Sequence, residues 1–115
     1  MSERNKTILR EANAAVARGD NEGFLSFCAD DIEWTTIGEE TLKGKDALRQ
    51  WITTTYLEPP KFTVTNLIAE GEYLTALGEI TVKDKDGKGT HYTYCDVWRF
   101  RGDKMTELKA FVIET

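Results

Sequence analysis

The sequence predicts an α+β domain in which helices pack against one face of a curved, mainly antiparallel sheet. Three observations carry that prediction. Apolar residues recur at helical spacing through the first half of the chain, the spacing changes to two from Phe62 onward, and short Gly- and Asp-containing turns separate the alternating runs. Helices first and strands last is the order of an α+β fold, and the sheet must bury one face against the helices.

Over residues 2–18, Ile8, Leu9, Ala12, Ala15 and Val16 share a helical face, and Gly19 supplies the stop. Asp20 is placed to cap a short second helix in which Phe24, Phe27 and Cys28 share a face, closed by Ala29, Asp30 and Asp31. Residues 32–36 then read as a strand broken at Gly38. After Gly44, the positions Ala47, Leu48, Trp51, Ile52 and Thr55 repeat the helical pattern until Pro59 and Pro60 forbid it. Four strands follow, over residues 62–69, 73–83, 90–101 and 105–114. Turns at Asp86-Gly87 and at Gly102-Asp103 should join the last three as an antiparallel meander. No linker or repeat interrupts the pattern, so residues 1–115 are expected to form one domain.

Bulk properties exclude several function classes. The 15 basic residues are scattered among 20 acidic ones for a net charge of −5, which argues against a nucleic-acid surface. No apolar run is long enough to span a bilayer, and the first residues lack the apolar core of a secretory signal, so a cytoplasmic location is expected. Cys28 and Cys95 are far apart and each sits in an apolar pattern, the setting of buried free thiols. With His91 as the sole histidine and no close cysteine spacing, no metal site and no metal cofactor are predicted. The chain has no Gly-x-Ser-x-Gly elbow and no phosphate-cradling glycine loop, and no other cofactor is expected.

The most informative stretch is 91–100. Strict alternation places Tyr92, Tyr94, Asp96, Trp98 and Phe100 on one strand face, an aromatic surface holding a single acid. A carboxylate among rings loses hydration, and its charged form becomes costly unless a donor or cation answers it. His91 falls on the opposite face, which makes a His91–Asp96 dyad improbable and an exposed or interface position the better expectation.

In order and spacing, four segments resemble the nuclear-transport-factor-2-like superfamily, specifically its SnoaL-like polyketide cyclase and ketosteroid isomerase relatives. They are Ala17-Arg18-Gly19-Asp20; Phe27-Cys28-Ala29-Asp30-Asp31 leading to Trp34; Leu42-Lys43-Gly44-Lys45-Asp46-Ala47-Leu48; and the run from Asp96-Val97-Trp98 to Gly102-Asp103-Lys104. The resemblance covers nearly the whole chain and implies a cone-shaped barrel: a bent sheet wrapped around three helices, enclosing a mostly apolar pocket, commonly in a homodimer. In the isomerase relatives a tyrosine on the first helix and an aspartic acid on a late strand hold an oxyanion, while a second aspartate on the early strand moves the proton. Matched by position, Asp96 stands at the oxyanion-side acid, Ala12 where the tyrosine would be and Thr36 where the proton-moving aspartate would be.

On the preceding strand Tyr73, Thr75, Leu77, Glu79 and Thr81 share a face, which the resemblance implies also looks into the cone. Glu79 would then join Asp96 as a catalytic pair, since two acids in one apolar pocket push their proton affinities apart and can serve as donor and acceptor. Trp34, Thr36, Tyr56, Tyr94 and Trp98 are the expected substrate-binding residues. The expected partner is a small apolar oxygenated molecule that undergoes isomerisation or cyclisation. Competing readings make Asp96 a paired structural acid, Glu79 a solvent-facing one, the aromatics plain core, and the protein a non-catalytic binder or interaction module. Phe111 and Ile113, alternating away from Leu108, Ala110 and Val112, offer apolar surface for a homodimer.

Overall fold

The computed structural model describes residues 2–115. Met1, at the start of the segment read above for a signal, lies outside them. Helix α1 (Ser2–Ala17) is followed by the short α2 (Asn21–Leu25), the strands β1 (Cys28–Thr36) and β2 (Thr41–Lys43), and helix α3 (Lys45–Thr55). The strands β3 (Lys61–Glu70), β4 (Tyr73–Lys83), β5 (Gly89–Arg101) and β6 (Lys104–Glu114) complete the chain.

The local chemistry accounts for these boundaries. α1 stops at Gly19, whose φ of 79° is open to glycine without strain. The Asp20 carboxylate accepts the Gly23 N–H at 2.9 Å and so starts α2. α2 is shorter than the sequence pattern suggests, because the Phe27 carbonyl accepts the Met105 N–H at 2.9 Å and Cys28 pairs in parallel with Met105. Sheet pairing therefore draws Phe27 and Cys28 out of the helix and starts β1 at Cys28 instead of residue 32. The three-residue β2, absent from the sequence reading, folds back antiparallel on β1 through Trp34–Leu42 and Thr35–Thr41 pairs.

The sheet has the order β2-β1-β6-β5-β4-β3, antiparallel throughout except for the parallel β1–β6 pair. It curls around the helices without closing, leaving β2 and β3 as edges, the form of the cone fold. Bulges mark its bends, one on β3 between Val64 and Asn66 and one on the β5–β6 pair between Arg99 and Phe100. Ile8, Leu9, Ala12 and Ala15 of α1 and Leu48 and Ile52 of α3 are buried against Leu74, Trp98, Phe100, Met105 and Leu108 of the concave face. Together these residues form one apolar core at the narrow end of the cone. Among the described residues no helix is long and apolar enough to cross a membrane.

Candidate functional site

The wide end of the cone is hollow. A cavity of about 440 Å³ opens between α1, α3 and the concave face of the sheet. Its wall explains why the alternating pattern of β5 matters: Tyr92, Tyr94, Asp96 and Trp98 all face inward, with Ile80 and Val82 beside them on β4. Trp34 and Thr36 of β1, Trp51 and Ile52 of α3, and Tyr56 at the α3 C-terminus close the opposite side. The third helix stops at Thr55, ahead of Pro59 and Pro60, and the segment that follows carries Pro60 and Phe62 into the lining.

An aromatic cluster forms the floor. Trp34 lies 5.6 Å from Trp98 and 5.5 Å from Trp51 between ring centroids, Phe24 is 6.1 Å from Trp34, and Trp51 meets Tyr56 edge-on at 5.6 Å. Such tilted and T-shaped pairs set the negative face of one ring against the positive edge of another, which fixes the rings against each other. Trp34 Nε1 is buried among them and is the one such side-chain nitrogen or oxygen without a hydrogen-bond partner among the described residues.

Asp96 is the acid of this cavity. It is half-buried, and what exposure it keeps is toward the hollow. No cation and no hydrogen-bond donor among the described residues answers its carboxyl. Burial alone therefore pushes its pKa from the ordinary 3.8 up to about 7. The two nearest phenols respond to the same site. Burial foremost, and then the Asp96 charge, raise Tyr94 to about 12, and the Tyr56 hydroxyl is pushed further in the same direction for the same reasons, with Tyr94 adding to them. The cavity thus holds an acid that takes its proton near neutrality, next to two hydroxyls that keep theirs.

Gly78 decides where Tyr94 sits. The two residues are directly paired across β4 and β5, and a Cβ on Gly78 would lie 2.6 Å from the Tyr94 hydroxyl oxygen and 2.2 Å from the Thr63 carbonyl oxygen. Only glycine lets the phenol lie flat over β4 at this bend of the sheet.

The structure brings six of the seven expected site residues into one cavity wall: Asp96, Trp34, Thr36, Tyr56, Tyr94 and Trp98. Glu79 is the correction. Asp96 pairs with Ala76 and Tyr94 with Gly78, so the even-numbered residues of β4 share the inward face and Glu79, paired with Thr93, points out. There its carboxylate is 3.0 Å from His91 Nε2, and His91 Nδ1 is 3.0 Å from the Thr115 hydroxyl. The odd-numbered set Tyr73, Thr75, Leu77, Glu79 and Thr81 alternates just as regularly as the even-numbered one, so the pattern of β4 alone does not distinguish its outer face from its inner one. His91 is exposed on that outer face, as expected. Cys28 is buried and its thiol pushed up to about 12, whereas Cys95 is only half-buried on the outer face. Sequence reasoning missed three polar groups of the cavity, among them Thr55 at the end of α3. Asn13 of α1 lies one residue beyond Ala12, which is fully buried in the core, and Glu39 lies in the turn three residues beyond Thr36.

The model of the SnoaL-like domain family matches residues 9–108. The chain belongs to the SnoaL-like domain family. No curated protein matches the sequence. Among solved structures, the SnoaL-like chain is similar to an NTF2-like protein of unknown function from Burkholderia pseudomallei, with 24% identity, a TM-score of 0.85, and 98% of this chain and 92% of that chain covered. It is similar to the Δ5-3-ketosteroid isomerase of Mycobacterium sp., with 19% identity, a TM-score of 0.86 and both chains covered over 100% of their length. A third likeness is to a Mycobacterium tuberculosis protein in complex with estradiol-17β-hemisuccinate, with 15% identity, a TM-score of 0.83, and 96% of this chain and 94% of that chain covered. At these identities the likeness shows the fold.

Proposed function

We propose that this SnoaL-like domain binds a small, largely apolar, oxygenated molecule in the cone and catalyses a proton-transfer isomerisation or cyclisation beside a carbonyl group. The supporting observation is the unanswered Asp96 carboxyl in an aromatic cavity, raised to about 7 by burial and flanked by the Tyr56 and Tyr94 hydroxyls. Proton abstraction next to a carbonyl leaves negative charge on oxygen, and donors fixed in a dry site stabilise that charge without reorganising. In its protonated form Asp96 is such a donor, and the Tyr56 and Tyr94 phenols share its cavity. Glu39, the other carboxylate of the cavity wall, takes the part of the base at carbon. A relative solved with an estradiol derivative supports the ligand class by fold likeness.

The test needs no known substrate. Cyclic ketones such as tetralones and cyclohexenones, incubated in heavy water with the protein, should exchange their α-protons for deuterium faster than in buffer, as read by proton NMR. Asp96→Asn should remove that excess while keeping the circular dichroism of the native fold. Absence of excess exchange across the series would overturn the catalytic reading. It would leave the second one, a non-catalytic binding protein, which is favoured by the lack of an acid at Thr36 and of a hydroxyl at Ala12.

We further infer a homodimer formed through the convex face of the sheet, where Phe111 is 43% and Ile113 68% exposed. The two free thiols support a reducing, cytoplasmic setting.

A further inference from the structure

The charge character of the cavity wall singles out a ligand class that the proton-transfer reading does not require. Eight aromatic side chains and two carboxylates, Asp96 and Glu39, line the hollow, and no lysine, arginine or histidine is among its lining residues. The charged side chains and ring faces lining the space therefore favour positive charge. Ring faces attract a cation through their quadrupoles, most strongly where water is excluded. A buried carboxylate with no counter-ion gains more from an arriving cation than a solvated one does. We propose that the cavity binds organic cations, a quaternary or protonated amine carried on an apolar body, with the ammonium group beside Asp96 and against the rings of Trp34, Trp51 and Trp98.

Such a ligand uses Asp96 in the opposite charge state from the oxyanion donor, so the two ligand classes compete for one cavity and pH selects between them. The titratable groups facing Asp96 are Tyr94 and Tyr92 on β5, Tyr56 from the end of α3 and Glu39 from the turn after β1. The phenols nearest the carboxyl, Tyr56 and Tyr94, stay protonated across the neutral range. Cation binding rests on the cavity wall alone, and a failed deuterium-exchange experiment would leave it standing.

Benzyltrimethylammonium and its uncharged carbon isostere, neopentylbenzene, make the test, read by the fluorescence of the three tryptophans, all of which line the cavity. The titrations are run in about 0.3 M salt, where attraction to the outer surface is screened. At about pH 8.5 the cation should bind about tenfold more tightly than the isostere. With Asp96 taking its proton at about 7, lowering the pH to about 5.5 should weaken the cation by nearly tenfold, to about the affinity of the isostere, and leave the isostere unchanged. Asp96→Asn should abolish both the pH dependence and most of the preference. Equal affinity for the two probes at the higher pH, or a preference that persists in Asp96→Asn, would overturn the proposal. If the variant does not fold, the pH dependence of the unmodified protein decides: cation affinity that stays constant between pH 8.5 and pH 5.5 would overturn the proposal equally.

Discussion

Replacing Asp96 by asparagine should stabilise this protein, and by more as the pH rises. In the folded chain burial holds the carboxyl pKa at about 7, against the ordinary 3.8 of an unfolded one. Between those values the folded state keeps a proton that the unfolded state has already released, so raising the pH favours unfolding throughout that window. The cost is absent below about pH 3, reaches about 2 kcal/mol at pH 5, and levels near 4 kcal/mol above pH 8, as an order of magnitude. Asparagine is close to isosteric with the protonated acid and never ionises. Its amide brings a fixed penalty of about 1 kcal/mol or more where a hydrogen bond is missing, but that penalty does not change with pH. The readout is therefore the gap between the two proteins, which should widen by about 2 to 3 kcal/mol between pH 5 and pH 8. Urea unfolding followed by tryptophan fluorescence at four pH values, without ligand, measures it. Parallel stability curves would refute the reasoning, because they would mean that the Asp96 carboxylate is already charged and compensated in the fold at pH 5. A residue that weakens the fold when charged, yet occupies the cavity wall, is best explained by what it does there.

Turnover in the exchange assay should fall about tenfold per pH unit above about pH 7, because the donor form of Asp96 is lost; a rate that rises through that range would assign Asp96 the base role instead. Gly78→Ala should cost about 1 to 3 kcal/mol by urea unfolding and also impair ligand binding, since its Cβ meets both the Thr63 carbonyl and the Tyr94 hydroxyl. Pairing it with Tyr94→Ala should recover only part of the stability, because the backbone clash at Thr63 remains. Glu79→Gln should leave exchange rates within about twofold of the original, as a substitution at an exposed outward-facing residue. Phe111→Lys combined with Ile113→Lys should give a monomer by analytical ultracentrifugation with the circular dichroism of the native fold, whereas an unmodified protein that is already monomeric would remove the dimer proposal.

What was legible in the sequence follows from which physical signals are local. Alternation is a property of a single strand, so the inward set Tyr92, Tyr94, Asp96 and Trp98 could be read directly, as could the end of the first helix just before Gly19. Which face of β4 joins that set is a property of the pair. Along β4 itself, Tyr73 to Thr81 and Leu74 to Val82 alternate equally well. The choice is made by the register that sets Gly78 opposite Tyr94 and Ala76 opposite Asp96. The small residues at 76 and 78 carried the signal that was missed. A face bearing Tyr94 and Trp98 on one strand needs small partners on the next if the rings are to lie over the sheet, and only the even-numbered face of β4 supplies them. The same reasoning explains Asn13 and Glu39. Matching by position looked for a hydroxyl at 12 and an acid at 36, but a cavity wall is set by where helix and turn face the hollow, and these do so one and three residues further on. The short β2 was illegible because a three-residue strand has too few positions to show a period, and it forms only because β1 offers it an edge. The chemistry of this cone therefore depends on pairings between strands more than on any one motif, and the acid that the rings of its own strand betray is the part of the site a sequence can show.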